Sequence, residues 1–100
     1  MKKVYERFRK GIHGNEGETL LLTPEGQHLD VTTMKRYSGK LITSVTSVKP
    51  VTSEGFTARV LEIGKTIGWE DHGKVRVTKK TVETLHNKVV EEFIAGKYST

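Results

Sequence analysis

The chain has 100 residues, no cysteine and a formal charge of +5. That length suits one domain with a single core, and the missing cysteines exclude disulfides, thiolate metal sites and thiol nucleophiles. Leu, Ile, Val and Phe supply 26 residues, enough for a folded core, and Val and Thr supply 24 against two Ala, a balance that favours strands over helices.

The opening decapeptide is ambiguous, because Val4, Tyr5 and Phe8 fit a helical spacing while Val4 to Phe8 could equally enter a sheet. Gly11 to Gly17 then reads as a loop. Thr19 to Thr23, Pro24-Glu25-Gly26-Gln27 and His28 to Thr32 read as a hairpin. Pro24 presets φ and Gly26 supplies the positive φ of a bulged turn, with Leu20, Leu22, Leu29 and Val31 expected on one inner face. Lys40 to Val48 is strand-like with imperfect alternation, which predicts a bulge, and Pro50 should end it or mark a sheet edge. Ser53-Glu54-Gly55 reads as a turn and Phe56 to Ile63 as a strand. Thr66 to Trp69, Glu70 to Gly73 and Lys74 to Val77 read as a second hairpin, with Val75 and Val77 facing one way and Lys74 and Arg76 the other.

A helix is predicted near residues 79–95. Thr78 is its N-cap, Gly96 suits the left-handed residue beyond its end, and Val82, Leu85, Val89 and Phe93 make its apolar stripe with Val90 and Ile94 alongside. His86 falls beside that stripe and reads as a boundary residue. The fold class that follows is α+β: a small antiparallel sheet, able to curl into a barrel, with a C-terminal amphipathic helix, in one domain over 1–100.

Glycine-rich Gly11 to Gly17 lacks the Gly-Lys-Ser/Thr ending of a phosphate loop, and Glu16 and Glu18 beside it would repel phosphate. His13, Glu16, His28, Asp30, Asp71, His72 and His86 show no compact ligand spacing and no nucleophile has a recognisable setting. The expectation is therefore a non-enzyme with no catalytic residue, metal or cofactor. No apolar run exceeds three residues, as in Leu20-Leu21-Leu22, so no membrane span is expected. The charged start, Met1 to Lys10, is unlike a signal peptide, so a cytoplasmic protein is the expectation.

Charge distribution is more informative than its sum. Residues 1–10 hold five bases and one acid, residues 11–34 four acids and no Lys or Arg, and residues 35–49 and 73–80 four bases each and no acid. Three basic blocks that converged in space would make a surface attractive to phosphate. Aromatic residues are interleaved with them. Trp69 has Lys65, Lys74, Arg76, Lys79 and Lys80 nearby in sequence, and Tyr37 has Lys35, Arg36 and Lys40. A ring beside cations can stack on a base while the cations follow the backbone. These ten residues are the expected nucleic-acid-binding set. The alternative is an accessory or inhibitor module whose basic charge meets an acidic surface on a larger protein.

Overall fold

The computed structural model describes residues 1–51 and 60–96. Five strands follow in order, β1 (Lys2–Gly11), β2 (Gly14–Leu22), β3 (His28–Lys35), β4 (Leu41–Val51) and β5 (Val60–Asp71), and the helix α1 (Lys79–Ile94) ends the described chain. The strands form one antiparallel meander in the order β1-β2-β3-β4-β5. Among the described residues β1 pairs with β2 alone and β5 with β4 alone, so the sheet is open and does not close into a barrel. The α+β class with a C-terminal helix is as the sequence implies.

The helix covers β2 and β3 and touches β1. Leu21, Leu29, Val31 and Val45 from the sheet meet Val89, Val90 and Phe93 from the helix in one buried cluster. Thr78 caps the helix, its hydroxyl accepting from the Thr81 amide at 3.1 Å, and Gly96 beyond the last turn has φ +83. The expected stripe is three-quarters right: Val82, Val89 and Phe93 are buried, whereas Leu85 is half-exposed and His86 takes its place, fully buried. His86 is thus a core residue and not a boundary one.

The first hairpin is present, with Gly26 at φ +89 and its amide bonded to the Thr23 carbonyl at 2.9 Å. Its register differs from the expectation by one residue. The Thr23 amide bonds the Gln27 carbonyl inside the turn, so Leu22 pairs with His28 and Leu21 with Leu29. Because side chains alternate, that single slip puts Leu21, not Leu20 or Leu22, on the face of Leu29 and Val31. Leu20 is nevertheless fully buried on the opposite face, across from Asp30 and Tyr5. Nothing lies within 4 Å of a Cβ placed on Gly26, so a substitution there meets only backbone strain. Gly26→Val is expected to cost about 1–2 kcal/mol in urea melts, and a neutral result would remove the left-handed assignment.

Other expectations are corrected. Residues 11–17 are not a loop: Gly11 pairs with Gly14 around the two-residue turn Ile12-His13, and β2 begins at Gly14, whose φ is +108. The second hairpin does not form. β5 runs on to Asp71, after which the Leu41 amide binds the Gly73 carbonyl and Gly73, at φ +77, turns the chain out of the sheet. Residues 74–77 therefore make a crossing strap, in which Lys74 and Arg76 are exposed and Val75 and Val77 half-buried, so the alternation was real without a strand. The predicted bulge is present, as register shifts between β4 and β5 from Val45 to Val48. β4 continues through Pro50, where its pairing with β3 has already ended at Val48. The turn at Ser53-Glu54-Gly55 and residues 56–59 of the next predicted strand lie outside the described residues.

Candidate functional site

The meander and the crossing strap bring members of all three basic blocks together, although Lys2, Lys3 and Lys49 lie towards the other end of the sheet. β1, β3 and β5 all finish at one end of the sheet, and α1 begins there. The strap runs across that end: a Cβ on Gly39 in the β3–β4 turn would lie 3.9 Å from Lys74 Cε, and one on Gly14 would lie 3.4 Å from Val77 Cγ1. The His13 and Tyr37 rings join the two turns edge to face at 5.7 Å. Lys10 and Lys79 line one cavity of about 210 Å³ with Asn15 and Val82.

Lys10, Lys35, Arg36, Lys40, Lys74, Arg76, Lys79 and Lys80 are thereby collected on one end. Two acids there are neutralised, Glu16 by Arg9 and Asp71 by Lys40 at 3.4 Å, while Glu70 beside Asp71 has no ion pair among the described residues and a buried Oε2 without a hydrogen bond. The Gly73 amide, followed by Lys40, holds the Asp71 carboxyl below its usual range. Among the described residues, Lys10, Lys35, Arg36, Lys74, Arg76, Lys79 and Lys80 make no ion pair. Lys79 and Lys80 occupy the first helical turn, which holds no acid, so their charge adds to the positive end of the helix dipole. Tyr37 stands fully exposed at the tip of its turn.

Trp69 and Lys65 stand apart from that cluster. Lys65 belongs to β5 beside Thr66, and its side chain is outside the described residues. Trp69 is 68% exposed. It pairs with Ser44 of β4, and the base that approaches the same serine is Arg36, whose Nη2 lies 3.5 Å from Ser44 Oγ.

Two further constellations were not foreseen. Beneath the helix runs a polar row: Thr19 Oγ1 to His86 Nε2 at 2.7 Å, His86 Nδ1 to Thr33 Oγ1 at 2.8 Å, Thr33 to Thr43 at 2.6 Å, and Thr43 to His72 Nε2 at 2.7 Å. Gly17 makes room for the His86 ring, since a Cβ there would lie 3.2 Å from its Cγ and 2.7 Å from Phe8 Cε1. Burial holds His86 at about 4, Lys3 adding to the effect and Glu18 opposing it, so the ring is neutral at pH 7. A neutral ring donates at one nitrogen and accepts at the other, so the row is fully satisfied when its hydrogen bonds all run in one direction. Burial also lowers His72, against the pull of Glu70.

The second constellation is on the other face of the sheet. Glu18 accepts from Tyr5 Oη at 3.0 Å and from Arg7 Nε at 2.9 Å, and Asp30 stands beside it, accepting from Thr32 Oγ1 at 3.1 Å. Burial and then the Glu18 charge raise Asp30 to about 7. Asp30 Oδ1 is buried and accepts no hydrogen bond among the described residues. Burial, followed by Glu18, pushes Tyr5 to about 12.

The signal for the first constellation was in the helix periodicity: positions 82, 86, 89 and 93 fit the buried stripe, and only the polarity of His86 argued against counting it. No spacing announced the second, which joins β1, β2 and β3 across strand pairs.

No protein-family model matches the chain, and no curated protein or solved structure is significantly similar to it. No three His, Asp or Glu side chains among the described residues are grouped as metal ligands, and no described helix is long and apolar enough to cross a membrane.

Proposed function

We propose that this chain is a non-enzymatic, cytoplasmic protein that binds nucleic acid through phosphate contacts from the basic end of its sheet, with little sequence specificity. One observation carries the reading: seven bases from three separate sequence blocks share one end without an acidic partner among the described residues. Close-set cations with no local counter-charge attract a polyanion, and displacement of its condensed counterions supplies sequence-independent affinity.

The test is fluorescence anisotropy of a labelled duplex across a salt series. Log affinity should fall linearly with log salt, by about 0.9 per neutralised phosphate. Replacing Lys74, Arg76, Lys79 and Lys80 with Gln should flatten that slope by up to about 3–4 while leaving the fold intact, because exposed charges add little to stability. Absence of binding to duplex and single strand at low salt would overturn the reading.

A second reading, an accessory or inhibitor module on a larger acidic protein, is favoured by a different feature. Met1, Leu29, Ile67, Phe93 and Ile94 line the apolar side of a groove of about 480 Å³ at the opposite end of the sheet, whose other side carries Thr23, Glu25 and Gln27. Its mark is a captured protein partner that survives nuclease treatment and is lost when Ile67 and Ile94 are made polar.

A further inference from the structure

Trp69 and Arg36 meet at Ser44 from different directions. Trp69 lies across from Ser44 on the edge strand β5, and the Arg36 side chain reaches back from the β3–β4 turn to Ser44 Oγ. The face they share carries Thr32, paired with Ser44 on the β3 side, Thr46 and Thr66, paired with each other further along β4 and β5, and Ile42, paired with Asp71 towards the basic end. The indole beside them remains 68% exposed. Of the acids on this face, Asp71 is ion-paired with Lys40 and Glu18, one strand beyond Thr32, with Arg7, while Asp30 lies across from Thr46.

We infer that this sheet face is a base-stacking platform for single-stranded nucleic acid, with an unpaired base on the Trp69 indole and the adjoining phosphate on Arg36. The inference rests on the proposed nucleic-acid function and narrows its substrate. A base offers an open π-face only when it is unpaired, and stacking on an aromatic side chain tolerates any base. A duplex keeps its bases stacked on one another, so it would use the cations of the basic end and leave the indole untouched. Tyr37, fully exposed in the same turn as Arg36, contacts the His13 ring of the β1–β2 turn edge to face.

Trp69 is the chain's single tryptophan, so its fluorescence reports stacking directly. Short oligothymidylate should quench it, and its duplex with oligoadenylate should bind without comparable quenching. Trp69→Ala should weaken the single strand by roughly 5- to 150-fold, with Trp69→Phe in between and duplex affinity nearly unchanged. Arg36→Gln should reduce the single-strand salt slope by about 0.7. Single-strand binding without quenching, or unaffected by Trp69→Ala, would overturn the platform while leaving phosphate binding in place. Failure of both oligonucleotides to bind at low salt would overturn the underlying reading as well.

Discussion

His86→Leu is expected to destabilise the fold by about 2–4 kcal/mol, and adding Thr19→Val is expected to recover most of that loss. His86 is wholly buried between two threonine hydroxyls, at 2.7 Å from Thr19 and 2.8 Å from Thr33. Leucine fills similar space but accepts and donates nothing. Thr33 keeps its bond to Thr43, at 2.6 Å, whereas Thr19 Oγ1 has no other hydrogen bond among the described residues. A buried hydroxyl left without a partner costs about 1–3 kcal/mol, while replacing both members of a buried pair by apolar groups of the same shape is close to neutral. The double variant should therefore be markedly more stable than His86→Leu alone, a coupling that urea melts of the four-member cycle measure. If Thr19→Val gives no recovery, the loss comes from ring packing against Phe8, whose centroid is 5.4 Å away edge to face, and not from the hydroxyls.

The same residues explain what was legible in the sequence. Capping at Thr78, the positive φ of Gly26 and the apolar periodicity of the helix are local signals, set by residues within a turn of one another, and the structure contains all three. The bulge in β4 was readable for the same reason. Pairing register is not local. Whether Thr23 belongs to a strand or to the turn decides which leucines meet the helix, and that depends on its bond to Gln27 and on the competing claims of Leu20 and Leu21 for the core. Polar burial was hidden for another reason. Thr19, Thr33 and Thr43 look like ordinary strand residues until three strands and a helix bring them to one imidazole. The basic blocks stood out as charge runs, but their gathering at one end depends on the strap from Gly73 to Thr78, which the alternation of Lys74 to Val77 made resemble a strand.

Between pH 4 and 6.5 folding stability is expected to be nearly flat, and Asp30→Asn is expected to unmask a steep rise with pH. Two buried groups act in opposite directions in that window. His86 is lowered from 6.5 to about 4. Below pH 6.5 the unfolded chain binds a proton that the folded ring refuses, so its contribution is complete above 6.5 and is lost as pH falls towards 4. At about 1.36 kcal/mol per pH unit, the loss is about 3 kcal/mol. Asp30 is raised from 3.8 to about 7. Its folded form holds a proton that the unfolded form has released, so its contribution is complete below 3.8 and is lost as pH rises through 7. One group gains stability where the other loses it, and the slopes offset. Asparagine mimics the protonated carboxyl, can still donate towards Glu18 and accept from Thr32, and does not titrate. In Asp30→Asn the His86 slope should then stand uncompensated, with His72, also lowered by burial, adding to it in the upper part of the window. Urea melts at pH 4, 5, 6 and 6.5 on both proteins give the comparison. A variant as flat as the wild type would show that His86 accepts its proton without loss in the folded state, against the desolvation of its buried ring.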